Sequence, residues 1–127
     1  MKVYNQQIST AIERLEPNLS QIARVSEWST LMGYDNPQKF AYQFLRHFRV
    51  RPLKVLDYKR LKSIVRQLRS DRKYSNLEIA HAHSLPDEKA LNNFIKYHLH
   101  YPPSLIRKMS DRELQERFKK FGNKIPE

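Results

Sequence analysis

Apolar residues recur every three or four positions along most of the chain, the spacing that places them on one face of an α-helix. Alternation with a period of two is nearly absent, and the hairpin turns Asn-Gly and Asp-Gly do not occur. The pattern therefore predicts an all-α protein. The first predicted helix ends before Pro17, and its apolar face consists of Val3, Ile8, Ile12 and Leu15. A short second helix should contain Trp28, Leu31 and Met32, with Trp28 packed between the first helices.

One of the two glycines, Gly33, heads the segment GYDNPQKFAYQFLRHF, residues 33–48. We expect a turn there, because glycine adopts a positive φ without steric cost. Asn36 is a good N-cap, and Pro37 suits the first helical position, where the amide that proline lacks would have no partner. A helix from about residue 36 to residue 48 is predicted, and its inner face consists of Phe40, Phe44 and Phe48.

Pro52 opens the longest predicted helix, which runs to about Ser70. At ~1.5 Å per residue, about eighteen residues make a rod of roughly 27 Å. The polar stretch SDRKYS that follows is the linker candidate.

The second half of the chain begins with a capping box, in which a serine and a glutamate three residues later bind each other's backbone amides. The predicted boxes are Ser75 with Glu78, and Ser110 with Glu113. The other predicted boundaries are a helix start near Asp87, a break at Pro102 and Pro103, and the end of the last helix at Gly122.

A shift of 51 residues superposes residues 33–48 on SLPDEKALNNFIKYHL, residues 84–99. The matched pairs are Glu27 and Glu78, Trp28 and Ile79, Ser29 and Ala80, Tyr34 and Leu85, Phe40 and Leu91, Phe44 and Ile95, Phe48 and Leu99, and Pro52 and Pro103. Agreement of pattern with little identity is typical of two copies of one supersecondary unit. The unit is a short helix, a tight turn and a longer helix. This is the layout of a helix-turn-helix, whose second helix fits the major groove of B-form DNA.

The predicted fold is therefore two helix-turn-helix subdomains joined by a long central helix, a homeodomain-like arrangement. The first subdomain is assigned to residues 1–58, the linker helix to residues 52–70, and the second subdomain with its C-terminal helix to residues 71–127.

The chain carries 24 Lys and Arg residues against 13 Asp and Glu, a formal net charge of +11 that indicates a polyanionic partner. Nucleic acid is the first candidate and a membrane surface the second. The lack of cysteine excludes disulfides and thiolate chemistry within this sequence. No run approaches the ~20 apolar residues of a bilayer span. We expect a cytoplasmic, nucleoid-associated protein without a membrane partner.

The repeated unit resembles the end of each helix-turn-helix in AraC/XylS-type transcription regulators. The matching residues are Gly33, Tyr34, Phe40, Phe44, Phe48 and Pro52 in the first copy and Leu85, Leu91, Ile95, Leu99 and Pro103 in the second. PLKVLDYKRLKSIVRQL also resembles that family's connecting helix, and the similarity spans residues 4–108. The departures from the pattern are Ser84, Arg49 and His100, which stand where the family usually has glycine. The resemblance implies a bacterial, AraC-type transcription factor that binds double-stranded DNA as a monomer, with RNA polymerase as a further partner.

The resemblance also implies which residues approach base edges. They are Pro37, Gln38, Ala41 and Tyr42 in the first unit and Glu88, Lys89, Asn92 and Asn93 in the second. Glutamine and asparagine suit adenine, alanine the thymine methyl group and glutamate the cytosine amine.

Basic residues concentrate around the linker helix, where eleven cations from Arg46 to Lys73 stand against Asp57 and Asp71. A run with one dominant sign indicates a phosphate-contacting surface; a solvated helix face is the alternative interpretation. The phosphate candidates are Lys39, Arg46, Arg49, Arg51, Lys54, Arg60 and Lys96.

Other chemistry finds little support in the sequence. Neither a phosphate-binding glycine loop nor a nucleophile motif occurs, so no enzymatic activity, cofactor or small-molecule site is expected. The histidine pairs do not complete a metal site, because residues two apart on a helix face different directions, and surface or phosphate-proximal positions are expected for them. They are His81 and His83, and His98 and His100.

Two other functions remain open from the sequence: a helical protein-interaction module, and a nonspecific nucleic-acid binder that has lost base readout. The last helix should cover the second unit or dock on a partner, and its cations are Arg112, Arg117, Lys119 and Lys120.

Overall fold

A computed structural model describes residues 7–122 of the chain, and these residues form helices joined by short turns, without a β-strand among them. The elements are a 3₁₀ turn at Ile8–Thr10, α1 at Ala11–Leu15, a 3₁₀ turn at Glu16–Asn18, α2 at Val25–Leu31, α3 at Pro37–Phe48, α4 at Pro52–Leu68, α5 at Asn76–Ala82, α6 at Glu88–Leu99, α7 at Pro103–Lys108 and α8 at Asp111–Gly122. The all-α fold class is confirmed for this part of the chain. Val3 lies outside the described residues.

The first helix, α1, ends at Leu15 and so before Pro17, as predicted. A 3₁₀ turn at Glu16–Asn18 follows it, because proline is tolerated in the first turn of a helix, where its missing amide would have no partner. Pro103 does not only break a helix; it opens α7, which was not predicted. The repeat could have predicted α7, because Pro103 matches Pro52 and Pro52 opens α4.

The 51-residue repeat is confirmed by the structure. The bounds of α2 and α3 recur as those of α5 and α6 after a shift of 51 residues. The turns are closed in the same way, by Tyr34 N donating to Ser29 O at 3.0 Å and by Leu85 N donating to Ala80 O at 2.9 Å. The two units therefore share one backbone design, although most of their side chains differ.

The apolar side chains form two clusters, one in each unit. The first surrounds the fully buried Trp28, whose indole Nε1 donates to Ala11 O at 3.0 Å, so its predicted position between the first helices is confirmed. The second is built around Ile79, Leu91 and Ile95.

Helix α4 belongs to both clusters. The N-terminal half of α4 supplies Val55, Leu56 and Tyr58 to the first cluster, and its C-terminal half supplies Leu61, Ile64, Val65 and Leu68 to the second. Phe118 of α8 packs against both clusters. Apolar burial along both halves of one helix thus couples the two units.

Candidate nucleic-acid interface

Helix α3 turns one face inward and one outward. Asn36 Oδ1 accepts a hydrogen bond from Gln38 N at 2.8 Å, which caps the helix directly after the Gly33 turn. Phe40 and Phe44 are fully buried and stack edge-on against Trp28, with ring centroids 5.3 and 5.0 Å apart. This aromatic packing fixes the rotation of α3, so the opposite face must lie toward solvent.

The outward face of α3 carries the base-reading candidates of the first unit. Pro37, Gln38 and Tyr42 are exposed and Ala41 is half-buried. Gln38, Ala41 and Tyr42 occupy positions i, i+3 and i+4, which are neighbours on a helix surface. Arg46 Nη1 donates to the Tyr42 hydroxyl at 3.3 Å, and its guanidinium lies 5.6 Å from the ring centroid. The tyrosine therefore orients a cation beside the candidate reading face.

Helix α6 repeats this arrangement with different chemistry. Asp87 Oδ1 accepts from Ala90 N at 2.8 Å and caps the helix, while Leu91 and Ile95 are fully buried. The outward candidates are Glu88, Lys89 and Asn93, which are exposed, and Asn92, which is half-buried. The Asn92 side-chain oxygen is buried and has no hydrogen-bond partner among residues 7–122.

Exposed Tyr97, at 77% accessibility, was not selected from the sequence. It follows Asn93 by one helical turn and matches Arg46 under the 51-residue shift. The 51-residue shift could therefore have identified Tyr97 from the sequence.

Six of the seven phosphate candidates are exposed: Lys39, Arg46, Arg49, Arg51, Lys54 and Lys96. The expectation for Arg60 is corrected, because its residue surface is only 6% accessible and its guanidinium is used inside the protein. Arg60 Nε and Nη2 donate to His83 O at 3.2 and 2.8 Å. The guanidinium lies 4.9 Å from the Phe94 ring centroid. Arg60 therefore joins α4 to the turn and the second helix of the second unit.

The charge of Arg60 shapes the ionisation of its neighbours. The Asp57 carboxylate lies 4.0 Å from Arg60 Nη1, and burial raises the pKa of Asp57 while Arg60 opposes that rise. Burial, followed by the charges of Arg60 and His100, lowers the pKa of His98 to about 4. Burial also lowers the pKa of His83. At neutral pH both histidines are uncharged members of an internal network.

The expectation of surface histidines is wrong for His83. It is 2% accessible, and its ring accepts and donates within the protein: Nδ1 lies 2.7 Å from Ile79 O and Nε2 lies 2.7 Å from Ser63 Oγ. No group of three or more potential metal ligands occurs within the described part of the chain.

The basic run around α4 is divided between surface and interior. Lys59 is 8% accessible and its Nζ pairs with a Glu16 carboxylate oxygen at 3.0 Å. Arg69 Nη1 donates to Ile106 O at 3.0 Å, and Arg107 Nη1 donates to Leu68 O at 2.9 Å. These arginines donate to carbonyls near the ends of α7 and α4, where helix carbonyls lack a full set of partners within the helix. Part of the positive charge therefore stabilises the fold, and the rest remains on the surface.

The fold is similar to that of a solved structure, the crystal structure of the DNA-binding domain of AdpA, a global transcriptional factor, in complex with a target DNA. The TM-score is 0.67 at 18% sequence identity, and the similarity covers 81% of this chain and 91% of that one. The chain has the fold of that domain. No protein-family model matches the chain, and neither does any curated protein. Within residues 7–122 no helix has the length and apolar character needed to cross a bilayer.

Proposed function

We propose that this protein binds double-stranded DNA at specific sequences and thereby regulates transcription. One observation carries the proposal: the chain repeats a helix-turn-helix unit on the fold of a domain that was solved with its target DNA. In both units the second helix turns a capped, polar face outward while its apolar face is locked into a core. The net charge of +11 supplies attraction to phosphates.

In this function α3 and α6 enter successive major grooves on one face of the duplex. Gln38 reads adenine through its amide, Ala41 touches a thymine methyl group, and Asn93 reads adenine in the second groove. The exposed cations flanking the helices hold the backbone and set the register but carry no sequence information. They are Lys39, Arg46, Arg49, Arg51, Lys54 and Lys96.

We assign the chain to the AraC/XylS type of regulator within this proposal. The 51-residue repeat, the connecting helix and the left-handed residues at Ser84, Arg49 and His100, where the family usually has glycine, support the assignment. One chain contains two reading units, so a monomer suffices to occupy two grooves. RNA polymerase is the further partner we propose, and we propose no catalytic role.

Selection of bound duplexes from a random pool tests the proposal. Enrichment of one motif over random competitor DNA is expected, with affinity for the motif at least a hundredfold above that for random duplex. Failure to enrich a motif, with equal affinity for random duplex, single strands and RNA at two salt concentrations, would establish nonspecific nucleic-acid binding instead. Absence of binding to any of these would favour the protein-interaction module. Sedimentation of the chain on its selected duplex checks the monomer.

A further inference from the structure

A polar cleft of about 290 Å³ lies between the turn Glu16–Asn18 and one face of α4. The proposed DNA-reading faces of α3 and α6 do not line it. Its walls consist of Glu16, Leu19, Lys59, Lys62, Ser63 and Arg66. The four residues from α4 occupy positions i, i+3, i+4 and i+7, which share one helix face. Three cations and one carboxylate thus converge on a single concave space.

The cleft contains a recessed ammonium group. The Lys59 side chain is 9% exposed, and Glu16, whose side chain is 55% exposed, is its ion-pair partner. An ammonium has three donors, and one carboxylate oxygen at 3.0 Å is the acceptor that the structure shows for them. An anion entering the cleft would meet this group while Glu16 remains free to turn toward water.

The other cations stand at the same opening. Lys62 Nζ lies 5.3 Å from the Tyr58 ring centroid, and the Arg66 side chain is exposed. Ser63 does not donate to an incoming anion: His83 Nδ1 faces a carbonyl and must carry the proton, so Nε2 accepts from the Ser63 hydroxyl at 2.7 Å. The charged groups that line the cleft are therefore three cations and one carboxylate, and the net charge of the lining is positive by two.

We propose that this cleft binds the phosphate group of a small molecule. A terminal phosphate carries up to two negative charges, which balance the lining, and arginine with lysine is the donor set that phosphate prefers. A phosphodiester of duplex DNA offers the same chemistry, but sugars flank it on both sides and hinder its approach to the recessed Lys59. The proposal goes beyond DNA binding, and it replaces the expectation that the protein has no small-molecule site.

The wall of the cleft is also tied to the second unit. The Ser84 hydroxyl donates to Ser20 O at 2.7 Å and lies 3.2 Å from Leu19 O. A phosphate held beside Leu19 would therefore lie where the N-terminal segment, α4 and the turn of the second unit meet.

Titration of the full chain with inorganic phosphate, without DNA and at constant ionic strength, tests the proposal through backbone amide chemical shifts. Saturable shifts at Leu19, Lys62 and Ser63 are expected. Arg66→Gln should weaken phosphate binding about fivefold, the effect of one lost ion pair at a partly open site. Arg112→Gln removes the same charge from exposed α8 and should leave the affinity unchanged.

Glu16→Gln gives an effect that a purely structural role would not produce. It removes the competing carboxylate, so phosphate should bind about fivefold more tightly even though the ligand-free protein melts at a lower temperature. Linear shifts without saturation, or equal weakening by Arg66→Gln and Arg112→Gln, would overturn the proposal. A third result would also overturn it: no binding of inorganic phosphate, together with a reduced salt dependence of duplex binding in Lys62→Gln and Arg66→Gln. The cleft would then bind the phosphates of the DNA backbone. Selection of DNA sequences does not depend on any of these results.

Discussion

At the scale of single residues, the repeat is most visible in four left-handed backbone positions. Gly33 with φ 83° and Ser84 with φ 62° form the turns, and Arg49 with φ 63° and His100 with φ 66° end helices α3 and α6. For a residue with a Cβ this conformation costs about 1 to 2 kcal/mol. The Ser84 hydroxyl offsets part of that cost through its hydrogen bond to Ser20 O. The departures from the glycine pattern thus changed the residue but kept the conformation.

Glycine at the helix ends should stabilise the protein. His100→Gly relieves the left-handed strain, and after the larger entropy of the unfolded chain is subtracted we expect a gain of about 0.5 to 1 kcal/mol in the free energy of unfolding. Urea unfolding of the variant and the wild type measures this gain in stability. Arg49→Gly should give a similar gain but also flatten the salt dependence of DNA binding by about one unit. Loss of stability in both variants would refute the left-handed helix ends.

Gln38 should carry base-specific energy. Gln38→Ala removes a bidentate contact and should cost about 1 to 3 kcal/mol on the selected site, with relaxed preference at one base pair. Quantitative binding to the site and to single-base variants measures this. Arg46→Ala is the contrasting variant, since loss of a phosphate contact weakens specific and random DNA alike. If Gln38→Ala weakened specific and random DNA equally, as expected for Arg46→Ala, then Gln38 would not contact a base.

At the scale of helices, α4 organises the molecule. Its sequence predicted a long helix with one apolar face and many cations, and the observed helix of 17 residues confirms the predicted length. Which cations are internal depended on packing: Lys59 and Arg60 point into the junction with neighbouring segments, whereas Arg51 and Lys54 remain exposed. The charge pattern alone could not separate them, because all four lie within three turns of one helix.

Arg60 should stabilise the fold without contacting DNA. Arg60→Met leaves His83 O and the Asp57 carboxylate without their guanidinium partner and should lower the free energy of unfolding by about 2 to 4 kcal/mol. The salt dependence of DNA binding, measured where the variant is folded, should stay unchanged. Arg51→Met is the matched control: it should be nearly neutral for stability and reduce the salt slope by about one. A reduced salt slope of DNA binding in Arg60→Met would instead show that Arg60 contacts a phosphate.

The junction between α4 and α6 should make stability pH-dependent. Burial, with Arg60 and His100, holds the pKa of His98 near 4 instead of 6.5 in the folded protein, so between these values the unfolded chain binds more protons. Stability is therefore full above about pH 6.5 and should fall toward pH 4, by about 1 to 2 kcal/mol after discounting for solvent.

The groups around His98 modify this profile. The lowered pKa of His83 acts in the same direction, while the Asp57 carboxylate, 3.7 Å from His98 Nε2 and with a pKa raised by burial, opposes it at the acid end. His98→Gln should flatten the profile in urea unfolding, with unchanged denaturant slope as the control for two-state behaviour. An identical profile in wild type and variant would assign the pH dependence to other groups.

At the scale of the whole molecule, the two units share one rod and one set of crossing hydrogen bonds. The 17 residues of α4 span roughly 26 Å. The reciprocal bonds of Arg69 and Arg107 hold α7 against the end of α4, and the Ser84 bonds tie the second unit to the N-terminal segment. We propose that residues 1–58 and 71–127 read DNA as two subdomains on this fixed frame.

A fixed frame predicts fixed spacing in the DNA. Selected sites should contain two half-sites about 10 base pairs apart, matching the ~34 Å repeat of the major groove. Inserting five base pairs between them should lower affinity to that of a single half-site, because the second unit would face the wrong side of the duplex. Asn93→Ala should affect one half-site only. Equal binding at variable spacing would show that the units move independently.

The sequence by itself determined the helices other than α7, their caps and the 51-residue repeat, because these follow from local chemistry. Asn36, Ser75 and Asp87 cap their helices through bonds within a few residues, and apolar periodicity marks each inner face. The outward faces of α3 and α6 could be predicted for the same reason, because the buried residues Phe40 and Phe44 in α3 and Leu91 and Ile95 in α6 leave the opposite face outside.

Only the tertiary structure decided the uses of the charged and polar residues between the units. Arg60, His83 and Lys59 are internal because partners distant in sequence close over them, and no local pattern reveals such partners. The cleft between the Glu16–Asn18 turn and α4 arises in the same way, from segments that meet only in the folded chain. Local periodicity sets which face of a helix is apolar, and long-range packing sets which of its charges remain available to a ligand.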